Sequence, residues 1–302
     1  MRSSRTSTET QPDSLSVSPP QILYNVLISD QSYDCSNLKR QLVKSMPSVA
    51  LPTRADVVAL CEKVGPKQNG FAYNEFIWIK YGECVTEAEA MTQQLVYQYA
   101  DPSIVRTPAV YDYFSKARMT YIVMERVQGQ TYGDHVKQHR EKAPKLLEAV
   151  AEAVRHVWTI KVPPGASPGP LGRQIPEDRF FTDRGAGQAF DTTTDLEQWV
   201  NAKLINTRKS ERVDFALENL HLCHCDLASH NILIPVLGAI YLIDWGMSGF
   251  YPLVFEEYAL LHQFSLPGGH FAKQLKPILF GDKASPNLRP LCLVGRINAQ
   301  GG

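Results

Sequence analysis

Apolar and polar positions along the chain alternate with two periods, and each period marks a class of element. In Phe76-Ile77-Trp78-Ile79-Lys80-Tyr81-Gly82 the alternation is two-residue. It predicts a strand with Phe76, Trp78 and Lys80 on one face and Ile77, Ile79 and Tyr81 on the other. Residues 110–114 and 121–127 read as a hairpin across the polar turn 115–118. Two short apolar runs, 232–234 and 240–243, flank a tight turn at Gly238. Helical spacing governs 55–64, the segment opening at Thr86, and 145–160. In the last, Leu147, Val150, Ala151, Val154, Val157 and Trp158 form a core-facing stripe that stops before Pro163-Pro164-Gly165. A further helix is predicted behind a cap at Thr194 and Glu197, and another near 255–261.

Between these elements, residues 163–192 are rich in Pro and Gly and carry Arg173, Asp178, Arg179, Asp183 and Arg184. Such a loop either lines a ligand pocket or runs as a solvated excursion. Residues 1–20 are rich in Ser, Thr and Pro and read as a disordered tail. Residues 282–302, with Pro286 and Pro290, read as a loosely attached C-terminal tail.

The most informative stretch is His224-Cys225-Asp226-Leu227-Ala228-Ser229-His230-Asn231, followed by Ile240-Tyr241-Leu242-Ile243-Asp244-Trp245-Gly246. Asn231 and Asp244 lie five and eighteen residues after Asp226. That spacing is the layout of a kinase phosphotransfer site. Phosphoryl transfer asks a protein for positioning and charge neutralisation. One carboxylate, Asp226, faces the acceptor hydroxyl. An amide oxygen, Asn231, and a second carboxylate, Asp244, hold Mg²⁺ against the phosphates, since Mg²⁺ prefers hard oxygen ligands. The plain alternative is a β-hairpin with solvated polar ends.

Upstream, Lys80 at the end of its strand is placed to reach nucleotide phosphates. Glu89 in the following helix is the candidate to hold it, with Glu87 as the rival; Glu89 also fits a capping box with Thr86. Residues 121–129 run out as the connection between two lobes, where Met124, Glu125 and Val127 are placed beside the adenine.

These residues resemble the aminoglycoside phosphotransferase-like kinases, especially the fungal phosphotransferase-domain proteins. The resemblance rests on Ile77–Gly82 with its extension to Met91, on 120–131, on 224–234 and on 241–259, and it covers roughly residues 50–265 in order. It implies an α+β, protein kinase-like two-lobed fold: a small N-lobe with an antiparallel sheet and a helix, and a larger, mainly helical C-lobe. The expected division is an N-lobe with a preceding helical segment at 21–127 and a C-lobe with the catalytic hairpin at 128–281. It also implies ATP and Mg as cofactors and phosphate transfer to a hydroxyl of a small molecule. Lys80 would contact the phosphates and Glu89 orient it; Asp226 would face the acceptor, Asn231 and Asp244 bind Mg, and His224 brace the loop.

Three departures bear on this. The Arg of a regulated protein kinase loop is replaced by Cys225, and no Ala-Pro-Glu follows. Cys225 also stands where the family usually has Gly. No G-x-G-x-x-G precedes Lys80; only Gly65-Pro66-Lys67-Gln68-Asn69-Gly70 separates helix from strand, where the family has two strands and a loop. The alternative reading is therefore a kinase-like binding protein that has lost turnover through a shortened phosphate loop.

Composition narrows the partners. Lys+Arg and Asp+Glu are both 31 of 302 residues, so no nucleic-acid or anionic membrane surface is expected. No apolar run reaches the length of a bilayer span. The six cysteines, including Cys223 and Cys225 around His224, lack zinc-knuckle spacing and read as reduced and buried. A cytoplasmic monomer or weak dimer acting on a small hydroxylated acceptor is the expectation.

Overall fold

The computed structural model describes residues 50–181, 185–205, 210–236, 239–263 and 266–300. The expected tail at 1–20, the segment 21–49, Asp183, Arg184 and the turn residue Gly238 lie outside the described residues.

Helix α1, Arg54–Val64, starts at a capping box in which Thr53 Oγ1 accepts from Asp56 N–H and Asp56 accepts from Thr53 N–H. It is followed by β1 (Gly70–Ala72), β2 (Ile77–Gly82), helix α2 (Glu87–Tyr99) and β3 (Val105–Arg106). β4 (Val110–Lys116) and β5 (Met119–Glu125) then form the expected hairpin. The sheet order is β1-β2-β5-β4, all antiparallel. The alternation of β2 sorts its two faces as expected. Ile77, Ile79 and Tyr81 are buried against Val57, Val58 and Cys61 of α1. Lys80 and Trp78 lie on the other face, where Lys80 reaches Glu89 of α2.

The larger lobe begins with β6 (Gly129–Thr131), α3 (Tyr132–Gln138) and α4 (Ala143–Trp158). The stripe of α4 is buried as its spacing demands: Leu147, Val150, Ala151, Val154 and Val157 all enter the main core. Next come α5 (Thr193–Ile205), β7 (His221–Cys223), β8 (Ile232–Pro235), β9 (Ile240–Leu242) and β10 (Gly249–Tyr251). Helices α6 (Val254–Leu261), α7 (Leu266–Phe280) and α8 (Leu288–Ala299) complete it. The hairpin β8–β9 sits inside a sheet ordered β3-β9-β8-β6. β3, inside the span expected for the N-lobe, thus pairs in parallel with β9 of the C-lobe. The two lobes share a sheet as well as a linker.

Two expectations need correction. The expected C-terminal tail at 282–302 is not loose over its described residues, 282–300: α8 buries Leu288, Leu291 and Val294 in the second core cluster, and Asn298 Nδ2 donates to Phe180 O at 2.8 Å. Pro290 falls in the first turn of that helix, where a missing N–H costs nothing. The cap of α5 is Thr192 with Asp195, whose side chains accept each other's backbone N–H at 2.9 and 3.1 Å. Glu197 instead accepts from Phe215 N–H at 2.6 Å.

The Pro/Gly-rich segment is anchored to the core. Gly169 and Phe250 exchange both backbone hydrogen bonds, at 3.1 and 2.9 Å. The pairing is close: a Cβ on Gly249 would lie 2.6 Å from Gly169 O. Phe180, Phe181 and Phe190 are fully buried among Trp199, Tyr251, Phe255 and Tyr258. Residue Arg179, between the buried Asp178 and Phe180, is thereby fixed in the C-lobe.

Candidate active site

Lys80, Glu89 and Asp244 meet through one ammonium group. Thr86 caps α2 by accepting Glu89 N–H at 3.2 Å. The Glu89 carboxylate does not fold back on the cap; its Oε1 accepts from Lys80 Nζ at 2.5 Å. Glu87 takes no part and accepts from Ser115 Oγ at 2.9 Å. Lys80 Nζ also donates to Asp244 Oδ1 at 2.6 Å. Burial alone would depress the Lys80 pKa, but the two carboxylates outweigh it and raise it. Burial pushes Asp244 up, yet Lys80 draws it below its ordinary value. Glu89, fully enclosed, is pushed up by burial, with Lys80 opposing. The lysine is thus charged, and Asp244 is the more readily ionised of its two partners. Gly246 makes room for Glu89: a Cβ there would stand 3.3 Å from Glu89 Oε2.

The catalytic-loop residues come together through the hairpin. Ile243 N–H donates to Asn231 O at 3.0 Å, so the start of β8 and the exit of β9 lie side by side and Asp244 follows directly. Asp244 has a left-handed backbone, φ 65°. Asn231 Nδ2 donates to Asp226 O and to Asp226 Oδ2, both at 2.9 Å. With the amide nitrogen committed to Asp226, the donor Asn231 offers is its oxygen. An amide oxygen from Asn231 and the half-exposed carboxylate of Asp244 are the hard donors that suit Mg²⁺. Among the described residues no three His, Cys, Asp or Glu side chains converge on a metal position, so phosphate oxygens and water would complete the shell.

His224 braces this loop from beneath. Its Nδ1 accepts Asp226 N–H at 3.3 Å, and Nε2 donates to Ile243 O at 3.0 Å. Burial depresses its pKa and keeps the ring neutral. It packs against the buried Trp245, the rings tilted at 48° with centroids 4.6 Å apart. Trp245 in turn donates to Thr107 Oγ1 at 2.9 Å.

The linker residues are arranged differently from one another. Met124 is buried and pairs across the sheet with Trp78. Glu125 is not an open backbone group: its N–H donates to Ala109 O at 2.8 Å, and its carboxylate accepts from Ala109 N–H and Tyr241 Oη. Its N–H and carboxylate are thus engaged, and Val127 lies half-buried beyond the end of β5.

Three residues, Arg179, Glu256 and Trp78, enter that spacing alone did not mark. Arg179 donates through Nη2 to Asp226 Oδ1 and through Nη1 to His262 O at 3.2 Å. Glu256, fully buried in α6, accepts His224 N–H at 2.6 Å and Cys225 N–H at 2.9 Å. Cys225 itself is buried with φ 57°, the left-handed conformation that the usual Gly adopts without strain. Trp78, partly exposed on the Lys80 face, lies over Gly70. The only hint of these in the sequence was position: Arg179 in the second lobe's long loop, and Trp78 two residues before Lys80.

The segment before β1 is short but tied to the Lys80 end of the sheet. Tyr81 N–H donates to Asn69 O at 3.0 Å and Tyr81 Oη to Gly65 O at 2.7 Å.

The sequence model of the phosphotransferase enzyme family (APH) matches residues 83–289. No curated protein matches the chain. Among solved structures, a thermostable mutant of aminoglycoside phosphotransferase APH(4)-Ia in its apo form is 19% identical. The likeness covers 77% of this chain and 83% of that one, with a TM-score of 0.50, and shows the same two-lobed kinase-like fold. Spectinomycin phosphotransferase APH(9)-Ia, in complex with ADP and spectinomycin, is 14% identical over 78% of this chain and 79% of that one, at a TM-score of 0.46.

Proposed function

The chain belongs to the phosphotransferase enzyme family, and on that premise we propose that it transfers the γ-phosphate of Mg-ATP to a hydroxyl of a small molecule. The observation that carries the reading is the single ammonium of Lys80 bound to both Glu89 and Asp244. That contact joins a strand and a helix of the small lobe to the catalytic hairpin of the large one. It sets a positive charge beside two oxygen donors for a metal, which is the arrangement a polyphosphate needs.

Each residue then has a task. Lys80, held by Glu89, neutralises phosphate oxygens. Asn231 and Asp244 would hold Mg²⁺, which would supply charge neutralisation for the phosphates. Asp226 orients the acceptor hydroxyl and receives its proton. His224 keeps the loop in register from a neutral, buried position. Trp78, Met124 and Val127 border the space for the base. No helix among the described residues is long and apolar enough to cross a membrane, and we place the reaction in the cytoplasm.

Asp226→Asn is the test. It retains the shape but neither the charge nor the proton acceptor, and its NH₂ must face one of the two donors that Asp226 accepts, so phosphate transfer from ATP falls by at least a hundredfold while Mg-ATP binding persists. Unchanged turnover in this variant removes Asp226 from the chemistry. A second reading, a nucleotide-binding protein without turnover, is favoured by one observation: among the described residues a single three-residue strand, Gly70–Ala72, precedes the lysine strand. Mg-ATP binding with no ATP consumption across a broad set of alcohols would select it.

A further inference from the structure

We infer that Arg179 sets the charge of the acceptor, admitting an alcohol whose hydroxyl neighbours an anionic group and turning away polycationic ones. This rests on the phosphotransferase reading above.

The argument begins with the two oxygens of Asp226. Oδ2 accepts from Asn231 Nδ2 at 2.9 Å, on the side of the metal donors. Oδ1 accepts from Arg179 Nη2, on the opposite side. An acceptor that brings its hydroxyl to Asp226 must therefore arrive beside a guanidinium. That guanidinium is not a mobile surface group. Its side chain is only 6% exposed, Nη1 is tied to His262 O, and Phe180 and Phe181 directly after it are locked in the aromatic core.

Asp178 turns away, accepting Phe180 N–H at 2.8 Å, and Glu256 is spent on the backbone of the loop. Asp226 is the carboxylate bonded to Arg179, and it is the group the acceptor needs. A carboxylate or phosphate on the acceptor offers the guanidinium a bidentate partner. When that anion takes over Arg179, Asp226 Oδ1 is released to the hydroxyl. The acceptor oxygen then bonds to the γ-phosphorus as the bond from phosphorus to the β–γ bridging oxygen breaks. The hydroxyl proton passes to Asp226 and on to solvent, and ADP leaves with the bridging electron pair. An ammonium group beside the hydroxyl meets the same guanidinium as a like charge and gains nothing from displacing it.

The experiment uses three probes of one carbon skeleton, D-gluconate, D-glucose and D-glucosamine, with Mg-ATP. Product is followed by phosphorus NMR and ADP release, and Mg-ATP affinity is measured separately by calorimetry. Wild type is expected to phosphorylate gluconate with a kcat/KM at least tenfold above that for glucosamine. Arg179→Gln is expected to raise the KM for gluconate tenfold or more while the Kd for Mg-ATP stays within twofold. Arg179→Lys, which retains the charge, is expected to recover part of the loss and keeps the test open should the Gln variant fold poorly. A preference for glucosamine, a preference unchanged in Arg179→Gln, or no phosphorylation of gluconate by protein that binds Mg-ATP overturns the inference. Failure of the wild type to bind Mg-ATP overturns the phosphotransferase reading beneath it.

Discussion

Glu256 governs the catalytic loop from a position that no motif marks. Both of its oxygens accept backbone N–H groups, from His224 and Cys225, immediately before Asp226. Burial pushes its carboxyl up to about 7, with those two donors opposing. An acid whose folded pKa lies above its unfolded value contributes most below the unfolded value, and that contribution is lost as pH rises through the folded one. From an ordinary 4.5 to about 7 the window costs on the order of 3 kcal/mol. Glu256→Gln should therefore flatten the fall in stability between those pH values, measured by urea unfolding at a series of pH. The variant also turns an amide NH₂ toward a backbone N–H, leaving a buried donor unsatisfied at a cost of about 1–3 kcal/mol. A wild-type stability that climbs with pH across that window would contradict the account. At this scale the sequence was legible where chemistry fixes spacing: Lys80, Asp226, Asn231 and Asp244 lie on elements that spacing alone could place. Arg179 and Glu256 were not legible, because each reaches the loop only through packing between distant segments, and neither bears a local signature.

Elements were readable in proportion to their periodicity. The β2 alternation and the α4 stripe match the faces they bury. The β8–β9 pairing follows the two apolar runs. Helix α8 was hidden by its flanks, since Pro286, Pro290 and the closing glycines suggest a break in structure, whereas Leu288, Leu291 and Val294 carry the helical spacing. The helix seals the aromatic cluster that holds Phe180, and so supports the Arg179 loop. Leu291 is completely buried, and Leu291→Ala removes its methyl groups from an interior that can only partly close. The expected loss is about 2–5 kcal/mol in chemical denaturation. A loss below about 0.5 kcal/mol, the size of an ordinary surface substitution, would show that the segment is as loosely attached as its composition suggests. The Pro/Gly-rich loop was ambiguous for a related reason. Its backbone pairing through Gly169 and Phe250 is long-range, and three phenylalanines without a period do not announce a core.

At the scale of the whole molecule, the lobes are coupled by two different devices. One is covalent and backbone-based: the linker after β5, and β3 inserted beside β9. The other is electrostatic and centred on Lys80, whose partners lie one in each lobe. A polyphosphate with Mg²⁺ would bind both sides of that second device at once, so it should stabilise the fold as a unit and not one lobe alone. Ligand at about a hundred times its Kd adds roughly 2.7 kcal/mol. For a chain of this size each kcal/mol is worth roughly 2–4 °C in Tm, so Mg-ATP should raise a single unfolding transition by several degrees. Asp244→Ala removes the carboxylate proposed to take the metal while leaving Glu89 on Lys80. It should abolish the Mg²⁺-dependent part of the shift and retain a smaller, Mg²⁺-independent response to ATP. Calorimetric scans of both proteins, with ATP alone and with Mg-ATP, separate these contributions. A shift of equal size in the variant would place the metal elsewhere. A split transition in which only one half moves would mean that Lys80 does not couple the lobes, and that the backbone connections carry the cooperativity alone.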